Sequence, residues 1–499
     1  MSALNFEFEF DNETTTRLGI FPLIATYLQE GLQLRQSLAA VKIDQESQTF
    51  SVIDLLLVLL SLPIIGLERI SHVGRLKTEH QAAQSLGVKR WPGQAHLHAL
   101  LNEFTGWNVN QLGRVNRELL QTYGHHHDLD PTELVVVDID ASTHSSEAQK
   151  RAGATPGRNQ KAPGRNCYQW SIATCMGQIV VSVLRPGYEH CSQVLEVMLS
   201  QTLKAIQTID LVRLDGGYFS QAALDMVIDH YHLFILVKAR GDLKSCRGTI
   251  QNAAPSAWQW AEPGRIRLLG LSDRKILDDS DHHLWGVAVQ QKKIIKKRRG
   301  PKGKKRTVRL VKWQTYLIVT NLPPAQWSIV ALWRLYTSRQ TIELVIRETK
   351  QSFGSGKMPS QDFQPNAAWL WLVSIAYNTM LWFKRDLLPF SLWSWSWQTL
   401  RANLIAVSAN LIYQPDHYQF HFHPDFPFRD LLLTLAHNLT ALIQNRGRDP
   451  TSADTQKLKL LHRWNPIWFA KPCYPDHSFP ILLVICFIVG RLPASFPHF

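Results

Sequence analysis

Apolar residues recur at helical spacing over residues 18–38, 52–67 and 112–120, with polar breaks at 42–48 and 89–93 between them. That periodicity predicts a mostly helical region over 1–130. The pattern changes at Pro131. Residues 133–140 form a short apolar run closed by two acids, Asp138 and Asp140, and read as a buried strand. Residues 168–174 and 178–184 read as two further strands joined by a tight turn at Met176-Gly177. Residues 192–206 have helical spacing, 209–214 form an apolar strand ending in Asp215-Gly-Gly, 221–230 are helical and 232–239 form a strand. Strand, strand, strand, helix, strand, helix, strand is the order of an α/β unit with mixed pairing.

From 241 to about 324 the helical pattern stops. Strand-like pieces at 266–271, 284–289, 308–313 and 315–320 alternate with Gly, Pro and Asp, which predicts a β-rich insertion into the α/β unit. Beyond it, 326–353 reads as one strong helix and 367–383 as an apolar, Trp-rich helix. Residues 386–499 are helical at first and then rich in aromatics and proline.

Composition narrows the possibilities. A chain of 499 residues exceeds what one core usually serves, and 45% hydrophobic with 19% charged residues is an ordinary globular balance. The division expected is 1–130, a helical region; 131–240 with 325–385, the α/β unit; 241–324, the β-rich insertion with its basic segment; and 386–499, a C-terminal region. The net charge of +14 favours an acidic partner, nucleic acid above all. Ten of the fifteen residues in 292–306 are Lys or Arg, including Lys296, Lys297, Arg298 and Arg299, so one segment carries most of that excess. Such a run reads as a solvated loop that binds phosphates without reading bases. The six cysteines form no C-x-x-C pair, which argues against a zinc ribbon and suits a reducing compartment. No secretory signal opens the chain. The apolar runs 52–67 and 481–489 fall short of the roughly 20 residues of a membrane span, so both are expected as buried helix or strand.

Three acids stand where an α/β sheet places its chemistry. Asp138 and Asp140 close one strand, and Asp215, rimmed by Gly216 and Gly217, closes another. A carboxylate stranded there is costly unless a cation relieves it. The third acid comes from the helix expected over 332–353. At about 100° per residue, Tyr336, Arg339, Glu343 and Lys350 fall within about 60° of one another, and Arg347 joins them. A core-facing stripe would be apolar. Glu348 is displaced by about 120° from Tyr336, which leaves Glu343 the better third ligand. Two histidine clusters, 125–127 and 282–283, lack the spacing of a zinc site and are expected in surface loops.

These residues carry a family resemblance. Tyr336-x2-Arg339-x3-Glu343-x6-Lys350 is similar to the tyrosine–arginine–glutamate–lysine signature of a superfamily of bacterial insertion-sequence DDE transposases. Arg213-Leu-Asp215-Gly-Gly-Tyr-Phe219 resembles its second motif, and Val137-Asp138-Ile-Asp140-Ala-Ser-Thr143 its first, over roughly 130–385 in all. The first motif here offers two acids and one extra residue before Thr143. Asp140 gives the better register if Ser142 stands in for threonine, with Asp138 the alternative.

The resemblance implies a ribonuclease H-like catalytic core, 131–240 with 325–385, interrupted by the β-rich insertion; a helical DNA-binding domain over 1–130 and a C-terminal candidate for oligomerisation over 386–499; and cut-and-paste DNA transposition by metal-dependent cleavage and strand transfer. Two Mg²⁺ or Mn²⁺ ions about 3.5–4 Å apart would be held by Asp140, Asp215 and Glu343. It also implies that Arg339 and Lys350 grip phosphates of the element end and that Tyr336 positions the strand near the cut. Some relatives stack a flipped base on a tryptophan of the insertion; Trp258, Trp260, Trp285 and Trp313 lie in the corresponding region, although core packing is the commoner role for each. The implied partners are double-stranded DNA, at the terminal inverted repeats and the target, and a second copy of the chain, in the cytoplasm at the nucleoid and not at a membrane. Two other readings share the residues: a ribonuclease H-like nuclease without strand transfer, and an inactive transposase-derived DNA-binding protein.

Overall fold

The computed structural model describes residues 15–45, 49–148, 150–160, 162–239, 243–277, 281–299, 306–414 and 417–446, with 294–310 and 412–418 described as backbone alone. The apolar run at 481–489 lies outside the described residues.

The N-terminal region is helical, as its periodicity predicts. Helix α1 (Val52–Ile64) starts where the Ser51 hydroxyl accepts the Asp54 N–H, and Pro63 sits in its last turn. Its residues from Leu55 to Ile64 are all buried. Helices α2 (Gln94–Asn102) and α3 (Gly106–Tyr123) follow, the latter opened by a capping box between Thr105 and Asn108.

The α/β unit has β1 (Val136–Ser145), β2 (Asn166–Cys175), β3 (Gln178–Pro186), helix α4 (Leu195–Ala205), β4 (Leu211–Leu214), the short helix α5 (Gln221–Leu224) and β5 (Phe234–Ala239). Met176 and Gly177, both at positive φ, make the two-residue β2–β3 turn. The strands lie in the order β3-β2-β1-β4-β5, with β2 antiparallel to its neighbours and β1, β4 and β5 mutually parallel. This is a ribonuclease H-like mixed sheet.

The insertion extends that sheet. Strands β6 (Gln259–Glu262), β7 (Ile266–Lys275), β8 (His283–Arg299) and β9 (Arg306–Thr320) form an antiparallel array, and β9 pairs with β5 through Leu317–Ala239 to Thr320–Leu236. The basic run departs from expectation. Most of its backbone is strand, in a register running from Lys292↔Trp313 to Arg299↔Arg306. Lysine and arginine have little strand preference, so pairing with β9 imposes the conformation, where the sequence pattern favoured a loop.

After the insertion come α6 (Ile329–Thr337) and α7 (Gln340–Ser352). The single helix expected over 332–353 is thus interrupted at Ser338 and Arg339. Helix α8 (Phe363–Leu387) is buried along most of its length and packs against α1, α3 and β3. A three-stranded sheet of Thr15–Thr16, β10 (Ala409–Gln414) and β11 (His417–His421) ties the two ends of the described chain together. Helix α9 (Arg429–Arg446) packs on α8.

Two apolar clusters sandwich the sheet. The larger joins the N-terminal helices and α8 to one face through Val137, Ile139, Val212, Leu214, Ile235 and Val237. The smaller lies on the other face, where Leu211, Leu236, Ile318 and Trp285 meet Leu332 and Trp333 of α6. Alternation along the strands places Asp138, Asp140 and Arg213 on this second face.

Candidate active site

The site begins with the register of two parallel strands. Asp138 lies opposite Arg213 and Ile139 opposite Leu214. One residue further, Asp140 and Asp215 stand at the same level on adjacent strands, at the point where β4 ends. Partners in a parallel pair point to the same face, and the strands are about 4.8 Å apart. Two carboxylates therefore emerge together because the β1–β4 register dictates it. Strand β1 does not stop there, contrary to expectation, but runs on to Ser145 along β2. Past Asp215 the backbone is tightly enclosed, with a Cβ on Gly216 placed 3.3 Å from the Lys238 carbonyl oxygen.

The two acids of the first motif have different surroundings. Asp138 is buried and accepts both Arg213 Nε and Nη2 at 2.7 Å. Arg213 Nη1 also donates to the Leu335 carbonyl and to Ser338 Oγ. Asp138 is therefore consumed in a clamp that fixes the α6–α7 turn on the sheet. Asp140 is only partly covered and lines a cleft of about 340 Å³ together with Asp215, Ser142, Arg158, Arg185, Tyr218 and Lys350.

Helix α7 lies over this face. Arg339, buried at the α6–α7 turn, donates Nη2 to the Asp140 carboxylate at 3.0 Å and to the Ile139 carbonyl at 3.1 Å. Lys350 donates Nζ to Ser142 Oγ at 2.7 Å and to the Thr143 carbonyl at 2.8 Å. The implied phosphate-gripping pair thus anchors α7 to β1 in the free chain. Glu343 and Arg347 are exposed on α7. Glu348 turns towards α8 and accepts the Tyr377 hydroxyl at 3.3 Å. Tyr336 sits half-buried on α6, one helix earlier than the stripe assumed. The Arg213 clamp is the physical reason for the interruption, and no glycine or proline announces it.

The electrostatics tie the group together. Burial holds the Asp140 carboxyl above its ordinary range and Asp215 adds to the rise, while Arg339 opposes it. Partial desolvation raises the Glu343 carboxyl too, with Asp140 and Asp215 contributing and Arg339 and Lys238 opposing. Burial also raises the Tyr336 phenol, and both aspartates contribute. Three mutually repelling carboxylates on hard oxygens fit a divalent cation such as Mg²⁺ or Mn²⁺. Their oxygens are not drawn together as tightly as those of Asp225, Asp229 and His282, the three-residue group among the described residues whose ligand atoms all lie within 4.8 Å.

Several residues were not foreseen. Arg213 as the partner of Asp138 was legible in principle, since the two face each other in register. Arg158 and Arg185 come from a loop and from β3, with no motif to flag them. The tryptophans divide: Trp258 and Trp285 are buried, whereas Trp260 and Trp313 are 48% and 37% exposed with ring centroids 6.2 Å apart. The histidine clusters fit a surface reading only in part, since His127 and His283 are exposed. His125 is buried, and His282 joins Asp225 and Asp229. The side chains of Lys296, Lys297, Arg298 and Arg299 lie outside the described ones.

A ribonuclease H-like sheet with two aspartates level on adjacent parallel strands and a glutamate on a covering helix has the arrangement of the DDE phosphoryl-transfer enzymes. The chain belongs to the family described as transposase DDE domain group 1, whose family model matches residues 18–444. No curated protein matches it. Among solved structures it is similar to a cryo-EM structure of a piggyBac transposase synaptic complex with hairpin DNA, at 10% identity and a TM-score of 0.36, covering 92% of this chain and 87% of that one. No helix among the described residues is long and apolar enough to cross a membrane.

Proposed function

We propose that this DNA transposase cleaves the ends of its own element and joins them to target DNA with Asp140, Asp215 and Glu343 as the metal-holding carboxylates. The observation that carries the assignment is the β1–β4 register, which sets Asp140 beside Asp215, with Glu343 electrostatically coupled to both. Asp138 is set aside because its two oxygens are committed to Arg213.

Two Mg²⁺ or Mn²⁺ ions, held by Asp140, Asp215 and Glu343, would supply Lewis acidity for an in-line phosphoryl displacement. The chain's residues do the rest. Arg339 neutralises part of the charge on Asp140 and is within reach of a phosphate seated beside it. Lys350 fixes Ser142 and Thr143 at the floor of the cleft and offers a further positive charge there. Arg158 and Arg185 line the same cleft and suit the DNA backbone. Tyr336 places a neutral hydroxyl near the carboxylates. Arg347 and the basic ribbon of Lys296, Lys297, Arg298 and Arg299 add sequence-independent attraction. The helical region 1–130 recognises the terminal repeats, region 386–499 pairs two copies on the two ends, and the protein works at the nucleoid.

The test is a strand-transfer assay with a pre-cleaved 3′-hydroxyl end. Wild type is expected to join it to target DNA in Mg²⁺, and Asp215→Asn and Glu343→Gln to abolish both cleavage and joining. Hydrolysis without joining would favour the nuclease reading, and activity surviving Asp215→Asn would overturn the site.

A further inference from the structure

We propose that Asp225, Asp229 and His282 form a second metal site, for one Zn²⁺ ion, that clasps the insertion to the catalytic core. Asp225 and Asp229 lie on the π-helical turn Asp225–His230 that follows α5, ten residues beyond Asp215. At i and i+4 of this helical turn the two side chains fall on one side. His282 comes from the connection between β7 and β8, 57 residues from Asp225 in sequence. Its Nε2 is 2.8 Å from Asp225 Oδ1 and 3.4 Å from Asp229 Oδ2. All three ligand atoms lie within 4.8 Å of one another.

That spacing suits an ion. Bonds of about 2.0–2.1 Å in a tetrahedron keep ligand atoms about 3.3 Å apart, and the two separations from His282 Nε2, 2.8 and 3.4 Å, lie within about half an ångström of that. One imidazole with two carboxylates favours Zn²⁺ over Mg²⁺, which takes oxygen and keeps its water. Gln221 Nε2 donates to Asp225 Oδ1 at 2.7 Å, the outer contact that orients a ligating carboxylate. The His282 ring is largely enclosed, with 13% of its side chain exposed, while the aspartates leave the fourth position open to water. The ligands come from both sides of the junction, so an ion there would hold the start of β8 against the α5 turn.

The experiment uses the full chain carrying Asp140→Asn, Asp215→Asn and Glu343→Gln, so that the catalytic carboxylates cannot contribute. Zn²⁺ binding is measured by calorimetry, and the melting temperature is followed with and without Zn²⁺. One saturable Zn²⁺ per chain and a Zn²⁺-dependent rise in melting temperature are expected, with Mg²⁺ giving neither. Adding His282→Gln or Asp229→Asn should weaken binding at least tenfold and remove the rise, while the metal-free melting temperature stays close to that of the parent. Absence of saturable binding, or binding unchanged by either substitution, would reduce the cluster to a histidine–aspartate ion pair. Neither result bears on the catalytic carboxylates, which the triple variant lacks.

Discussion

Arg213 grips Asp138 through both Nε and Nη2 while its remaining nitrogen reaches back to the α6–α7 turn, so one buried side chain joins β1, β4 and the helix that carries Glu343. Two acids a single residue apart in the sequence thereby acquire opposite roles. Asp138→Ala leaves a buried guanidinium without its partner and is expected to cost about 3–5 kcal/mol of stability, measured by urea unfolding. Asp140→Asn, which keeps an oxygen acceptor for the buried Arg339, should keep the fold and lose cleavage. An Asp138 variant as stable as wild type would contradict the clamp.

Arg339 is expected to resist conservative replacement. Its guanidinium reaches the Asp140 carboxylate and the Ile139 carbonyl together, a geometry that a lysine ammonium does not reproduce. Arg339→Lys should lower the rate of strand joining by about 10²-fold through misplacement of Asp140. Near-wild-type joining by this variant would show that charge alone suffices.

Protons compete with metal at this site. Asp140 and Glu343 are both held above the ordinary carboxylate range, chiefly by burial, so in the metal-free fold they keep protons to higher pH than they would unfolded. Their ionisation therefore opposes folding as pH rises through this range, the reverse of a depressed carboxylate. Bound metal relieves that strain. The Mg²⁺-dependent rise in melting temperature should be largest near neutral pH and shrink as pH falls through the raised range of these carboxylates. A rise independent of pH would separate the metal from these carboxylates.

The basic ribbon should act through salt. Replacing Lys296, Lys297, Arg298 and Arg299 with alanine is expected to weaken binding to any duplex alike. If each charge meets a phosphate, the slope of log affinity against log salt should fall by up to about 3.6. Fluorescence anisotropy across a salt series measures this, and an unchanged slope would place the ribbon away from DNA.

Legibility in the sequence followed the locality of the forces. The strand and helix order of residues 136–239 was readable because period-two and period-3.6 burial is written into the chain. Asp215 stood out from its strand end and glycines, and Glu343 from its stripe. What could not be read depends on contacts distant in sequence: the α6–α7 interruption comes from an arginine more than a hundred residues upstream. Likewise the strand conformation of Lys292–Arg299 comes from its partner strand. His282 looked like a loop histidine because its companions lie 57 and 53 residues earlier, on another element.

The pairing of β9 with β5 has a mechanical side. Among the described residues, Leu317–Thr320 of β9 is the part bonded to the core sheet, leaving about 11 residues, or about 35 Å at strand rise, as a cantilever beyond it. A load on the far end of that arm is carried as torque into β5, the immediate neighbour of the strand that ends in Asp215. DNA held on the ribbon would therefore pull on the same plate that sets the spacing of Asp140 and Asp215.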